Sequence, residues 1–389
     1  MEIKQFLKLS LGLFRHPIYT KQLLIGDKST VSKDVEESIR SGANWLLAAQ
    51  KNSVDGEGYS RRFSLLSGWD RGYIETTGYI IPTMLEVSHF LGDTRYKKSA
   101  YAAADWLLKV QTIDGAFTDV DSYVPQVFDT GQVLLGLNRM FLETKDERFL
   151  SALTKASRWL CDVQEKDGSW IQYAYNDRPH AYYSRVGAAL IEAGQISGIE
   201  EYVAAGLRNL EWVSDQQKSN GYYRYSEFRP KEDAILHTIV YVLEGFSMAY
   251  QLTGDKRWAD KLISDTDTLG LLLNKEGLLY SQYDTQWKAT NTEYCVTGLA
   301  QYAGVCFDVA TITNDLKYRS WGENIVTRLC QWQQKDGEDL NGALSSSVPF
   351  WGYYGGMDFF NWNIKFFLDA ALKERAHQFR GNSSHNDGE

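Results

Sequence analysis

Apolar residues return every three or four positions through most of this chain, and the pattern comes in pairs. An apolar segment such as "GYIIPTMLEVSHFLG" (78–92) leads through a few polar residues to an amphipathic one, "YKKSAYAAADWLLKVQ" (96–111). A period near 3.6, with little β-branched alternation, predicts a helix for each. The polar breaks are brief: "GDTRY" from Gly92, "TKDERF" from Thr144, "SGIEEY" from Ser197, "TGDKRW" from Thr253 and "TNDLKY" from Thr313. Such short connections make the paired helices antiparallel neighbours.

The pairs repeat. Trp45 and Gln50, Trp106 and Gln111, Trp159 and Gln164, and Trp212 and Gln217 each stand five apart, with a turn glycine after each. The glycines Gly56, Gly115, Gly168, Gly221, Gly277 and Gly337 follow at steps of 59, 53, 53, 56 and 60 residues, and the last two copies blur the tryptophan. One hairpin cannot bury its apolar face alone. Six of them, with a more apolar first helix and a more charged second, predict an all-α (α/α)6 toroid of about twelve helices in two concentric rings. An open superhelix of tetratricopeptide or HEAT type is disfavoured because those repeats run to only about 34–47 residues. The expected organisation is an N-terminal amphipathic extension (1–35), one toroid domain (36–377) and a polar, disordered tail (378–389).

Connections at the other end of the hairpins vary in length and carry many aromatic residues, and function concentrates on the variable end of a rigid scaffold. There each inner helix opens with different polar residues: Glu75, Asp129, His180 with Arg185, His237, Glu293 and Asn361. Capping accounts for acidic or Asn residues at helix starts, but not for Arg185 or His237, whose charge opposes the helix dipole. A shared cavity accounts for them. Tyr73, Tyr79, Tyr182, Tyr183, Tyr241, Trp287, Trp351, Tyr353, Tyr354 and Trp362 crowd the same mouth, and such rings stack on sugar faces, line hydrocarbon pockets or face cations.

The "QxxDGxF/W" turns resemble the QW repeats of the squalene cyclase and prenyltransferase toroid superfamily. "YIETTGYIIPT", "FDTGQVLLGL", "HAYYSRVGAALIE", "LHTIVYVLEG" and "VPFWGYYGGMDFFNWNIKFFLDA" more closely resemble a bacterial and archaeal toroid family encoded among exopolysaccharide and capsule biosynthesis genes. That family is similar to the C-terminal domain of glucuronyl C5-epimerases, to polysaccharide lyases and to unsaturated glucuronyl hydrolases. The resemblance implies an enzyme acting on an acidic, uronic-acid-containing polysaccharide or its precursor.

The cyclase chemistry lacks its residues: no DxDD acid motif and no DDxxD cluster occurs, and "DVDS" at 119–122 reads as a loop fragment. Zinc, as in toroid prenyltransferases, would rest on Cys295 and His237 with no second cysteine beside them. C5 proton abstraction, by epimerase or lyase, needs a base, a neutralising charge and an acid. Arg185 is the candidate carboxylate clamp, with His237, Tyr182, Tyr183 and Tyr241 as proton carriers and Glu75, Asp129 and Glu293 as bases. Tyr79, His180, Trp287, Trp351, Tyr353, Tyr354, Asn361 and Trp362 are the candidate substrate-binding residues. Hydrolysis by a carboxylate pair, terpenoid cyclisation and glycan binding without catalysis stay open as alternatives. No metal or other cofactor is expected.

Net charge of −9 without a long basic run argues against a nucleic-acid partner. No window of about 18 uninterrupted apolar residues occurs, so no spanning helix is expected. Four cysteines without a CxxC pair read as reduced thiols and a cytoplasmic location. Lys4, Lys8, Arg15 and Lys21 among Leu and Phe give residues 1–25 the character of a peripheral membrane contact.

Overall fold

The computed structural model describes residues 34–386, apart from 55 and 336. The expected amphipathic extension therefore lies outside the described residues, save for its last two positions.

Twelve α-helices alternate among the described residues: α1 (Val35–Lys51), α2 (Ile74–Leu91), α3 (Thr94–Val110), α4 (Val127–Thr144), α5 (Glu147–Asp162), α6 (Ser184–Ser197), α7 (Glu200–Asp215), α8 (Leu236–Thr253), α9 (Lys256–Gly270), α10 (Val296–Thr313), α11 (Leu316–Trp332) and α12 (Asn361–Asn386). Even-numbered helices form the inner ring, each packed on the next, and α12 returns to pack on α2. Odd-numbered helices cover them from outside. The fold is the (α/α)6 toroid that the repeat predicts. One detail differs: five hairpins are contiguous, whereas the sixth pair joins α12 to α1 from opposite ends of the chain. The last helix also continues to Asn386, helical where composition points to a disordered tail from 378.

The repeated polar breaks are capped starts of outer helices. Asp93, Asp146, Asp255 and Asp315 each accept a hydrogen bond from the backbone N–H two residues on, satisfying donors that a helix start leaves free.

The repeated glutamine ties the outer ring together. Gln111 Nε2 donates to the Gly115 carbonyl and to the Ala152 carbonyl on α5, both at 2.9 Å. Gln164 repeats this with Gly168 at 3.1 Å and Ala205 on α7 at 2.9 Å. Each amide thus fastens its own turn to the following outer helix. In the fifth copy the donor has changed sides: Asn324 on α11 reaches back to the carbonyls of Glu276 and Gly277. The turn glycine is needed twice over at Gly168, where φ is +94° and a Cβ would lie 2.4 Å from the Arg208 carbonyl oxygen.

Seven short strands lie in the variable connections: β1 (Arg62–Ser64), β2 (Gly68–Trp69), β3 (Ala234–Ile235), β4 (Gln282–Tyr283), β5 (Tyr294–Cys295), β6 (Ser347–Val348) and β7 (Asp358–Phe360). β1 pairs with β2 and with β7, Phe63 opposite Phe359, so the first and last connections are stitched together beside the mouth.

Candidate active site

A cavity of roughly 520 Å³ opens where the inner helices begin. Its walls come from the starts of α2, α4, α8 and α12 and from the connections between them. Eight of the sequence candidates meet there: Glu75, Tyr79, Asp129, Tyr182, His237, Tyr241, Tyr354 and Trp362. Tyr73, Phe128, Tyr175, Phe228 and Phe360 complete an almost continuous aromatic lining, with Asp119, Ser122 and Gln126 as further polar groups.

Glu75 and Asp129 occupy the same turn of neighbouring inner helices, the first turns of α2 and α4. Burial pushes Glu75 up to about 7, opposed by a hydrogen bond with Tyr73 and by the charge of Arg185. Asp129 is pushed well above the ordinary carboxylate range, first by burial and then by the charges of Glu75 and Asp119. Its Oδ2 is buried without a hydrogen-bond partner. Both carboxyls are thus shifted towards their protonated, proton-donating forms.

Burial acts in the opposite sense on His237, pushing it down to about 3. The ring packs on Tyr241 at 4.3 Å between centroids, and its Nδ1 lies 2.7 Å from Gln301 Oε1. The Tyr241 hydroxyl is buried and unpartnered.

The other eight candidates do not line the cavity. Arg185, expected to clamp a carboxylate, is engaged: Nη1 donates to Glu244 Oε2 at 2.6 Å and Nε to Gln132 Oε1 at 3.0 Å. Its guanidinium is enclosed by the rings of Tyr79, Tyr241 and Phe366. Lys365 is likewise buried, over Phe366 and paired with Asp369. These pairs lie among the inner helices, and no Lys or Arg lines the cavity among the described residues.

Tyr183 accepts a hydrogen bond from the Tyr175 N–H, and His180 Nε2 lies 2.8 Å from the Tyr175 carbonyl, so both brace that loop. Asn361 donates to the Ser60 carbonyl and to Thr76 Oγ1, joining the start of α12 to the first connection. Glu293 accepts from the Tyr353 N–H at 2.7 Å and anchors the last connection. Trp287 donates to the Asn220 carbonyl, and Trp351 is half exposed. Tyr353 lines a second groove of roughly 250 Å³ that shares Tyr175, Phe228, Tyr354 and Gly355 with the cavity.

Among the described residues no group of three His, Cys, Asp or Glu side chains has a metal-binding arrangement. Cys295 Sγ caps α10 by accepting from the Gly298 N–H, and burial pushes its thiol up to about 12.

Tyr73, one of the mouth aromatics, lines the cavity, while the sequence pattern does not single out Gln126 and Phe128, although they flank a helix start that Asp129 already marks. Asp119 stands in the fragment "DVDS", which the sequence alone gives no reason to bring inward. Tyr175 and Phe228 come from mid-connection, where no periodicity points.

Fold and site together define an (α/α)6 toroid with an acidic, aromatic-lined cavity at the variable mouth. The family model of the squalene-hopene cyclase C-terminal domain matches residues 96–193, from α3 into α6. No curated relative matches the sequence. Solved structures show the same fold at low identity. An unsaturated glucuronyl hydrolase specific for heparin superposes with a TM-score of 0.70 at 15% identity, covering 88% of this chain and 97% of that one. A sugar epimerase from a ruminal bacterium gives 0.69 at 12%, covering 87% and 99%. A polysaccharide lyase gives 0.65 at 12%, covering 89% and 98%.

Proposed function

We propose that this protein is a carbohydrate-active enzyme that holds a sugar in the mouth cavity and transfers protons to and from it with Glu75 and Asp129. The observation that carries this reading is a pair of raised carboxyls on adjacent inner helices inside a wall of aromatic rings. Tyrosine and tryptophan rings suit the apolar faces of a sugar, and their hydroxyl and indole groups suit its edge. A protonated carboxyl beside a second one is the equipment for cleaving a glycosidic bond: one protonates the leaving oxygen, the other acts as base or nucleophile. The named activities of the toroids similar to it, hydrolase, epimerase and lyase, all act on carbohydrates.

C5 proton abstraction from a uronic acid is the second reading. His237, with its ring at the cavity wall, and the unpartnered Tyr241 hydroxyl favour it. The engagement of Arg185 with Glu244 weighs against it, because the enolate formed next to a carboxylate needs positive charge or strong donors. Action on an acidic surface polysaccharide or its precursor is the setting that the resemblance suggests, while the cysteine usage suggests the cytoplasm and the basic and apolar character of residues 1–25, which lie outside the described residues, suggests a membrane surface.

Proton NMR of the protein with neutral and uronic-acid glycans in deuterated water tests both readings. New reducing-end anomeric signals mean hydrolysis, vinyl protons mean a lyase, and deuterium at C5 without vinyl protons means an epimerase. A panel left unchanged counts against an enzyme acting on those glycans.

A further inference from the structure

Two buried histidines near the mouth carry opposite hydrogen-bond patterns. His180 Nε2 faces the Tyr175 carbonyl at 2.8 Å. A carbonyl only accepts, so Nε2 bears the proton and Nδ1 is left without a partner. His237 is reversed, with Nδ1 against Gln301 Oε1 at 2.7 Å.

The reversal depends on which way the Gln301 amide points, and that is fixed from its far side. Gln301 Nε2 donates to Glu244 Oε2 at 3.0 Å, and the same oxygen accepts from Arg185 Nη1 at 2.6 Å. A flipped amide would set its carbonyl oxygen against a carboxylate and its NH2 against His237 Nδ1, losing the bond to Glu244. Arg185 is held in turn by Gln132. The chain Gln132, Arg185, Glu244, Gln301, His237 thus crosses four inner helices, α4, α6, α8 and α10, and ends at the cavity wall. His237 Nε2 has no hydrogen-bond partner among the described residues, while the ring rests against Tyr241, Tyr354 and Phe366.

We infer that Gln301 and Glu244 are positioning residues that lock His237 in its Nδ1–H form, leaving the Nε2 lone pair as a fixed hydrogen-bond acceptor for a sugar hydroxyl in the cavity. The sugar in that statement rests on the proposed function; the tautomer does not. The lock separates two duties within one cavity. Glu75 and Asp129 are shifted towards their protonated, donating forms, and His237 is shifted towards its neutral, accepting form. Amide and aromatic neighbours reinforce the neutral ring, since none of the groups touching it carries a negative charge.

Nitrogen-15 NMR of the imidazole rings in the full chain tests the lock without any substrate. Loss of signals in His237→Gln and His180→Gln assigns the two rings. The expected wild-type spectrum has a protonated Nδ1 and a bare Nε2 at His237, and the reverse at His180. Gln301→Met should abolish the Nδ1–H pattern of His237 and leave His180 unchanged, which certifies the fold. Glu244→Gln should yield a mixture of tautomers at His237. A wild-type His237 protonated at Nε2 overturns the inference, with no variant needed. So does a Gln301→Met protein whose His237 keeps its tautomer beside an unaltered His180. A glycan turned over by a wild type with His237 in the Nε2–H form defeats the lock and spares the proposed function. The lock without binding or turnover of any glycan defeats the sugar as its occupant.

Discussion

Gln333, at the end of α11, donates its side-chain amide to the carbonyl of Ser38 on α1, 295 residues earlier, and also to Gly342 O, both at 3.0 Å. Gln111 makes the corresponding bond to Ala152 across 41 residues. One repeated side chain therefore joins neighbours within the ring and also closes it.

Closure makes the last copy the more critical one. Gln333 is buried, so truncation strands two carbonyls away from water, whereas Gln111 is only partly buried. Gln333→Ala should lower unfolding stability by about 2–3 kcal/mol and Gln111→Ala by about 1 kcal/mol. Denaturant unfolding of the two variants measures this. Equal losses would mean that closing the ring gives the bond no special weight.

The turn glycines allow a sharper comparison. At Gly168 an added Cβ meets the Arg208 carbonyl, while at Gly198, with φ of +71°, nothing lies within 4 Å. Gly198→Ala bears only the left-handed backbone penalty, about 1–2 kcal/mol. Gly168→Ala bears that penalty and forces α7 away from its turn, and should lose about 3 kcal/mol or more. Thermal unfolding of the pair separates conformation from contact.

Glu75 links stability to pH in a direction that can be worked out. Its folded-state pKa is raised from 4.5 to about 7, so the folded protein holds this proton more tightly than the unfolded chain. The resulting stabilisation is fully present below about pH 4.5 and is lost as pH rises through about 7. Glu75→Gln should remove that decline, making the variant the more stable protein at about pH 8, by on the order of 1–2 kcal/mol given the partial exposure of the side chain. Activity should fall by about 10²–10⁴-fold in the same variant if Glu75 is an acid–base group. A variant that is less stable at every pH would show the carboxyl to be held by favourable contacts.

The toroid was legible because its signals repeat: helix period, Asp caps, the glycine of every turn and the glutamine of every turn but the fifth recur where physics needs them. The rule that inner helix starts face a common cavity found Glu75, Asp129, His237 and Tyr241 for the same reason. It failed at Arg185, Asn361 and His180, because a helix start also faces its neighbours, and pairing with Glu244, Thr76 or Tyr175 is decided by partners 5 to 285 residues apart in the chain. Asp119 and Phe228 were missed because connections of irregular length carry no period from which to read direction.

Arg185 is where that failure changes an expectation most. As a free clamp on substrate it would be removable without harm to the fold. As the partner of Glu244 it is not, because its loss leaves a carboxylate among inner helices with Gln301 as its remaining donor. Arg185→Met should therefore destabilise the protein by about 3–5 kcal/mol, the range for breaking one side of a buried pair. Arg185→Met combined with Glu244→Gln removes the stranded charge and should recover more than half of the loss. Denaturant titration of the single and double variants decides the matter. Full stability in Arg185→Met would free Arg185 for a substrate carboxylate and bring uronic-acid chemistry back to the front, whereas a double variant as unstable as the single would assign the guanidinium's contribution to its packing on Tyr79, Tyr241 and Phe366.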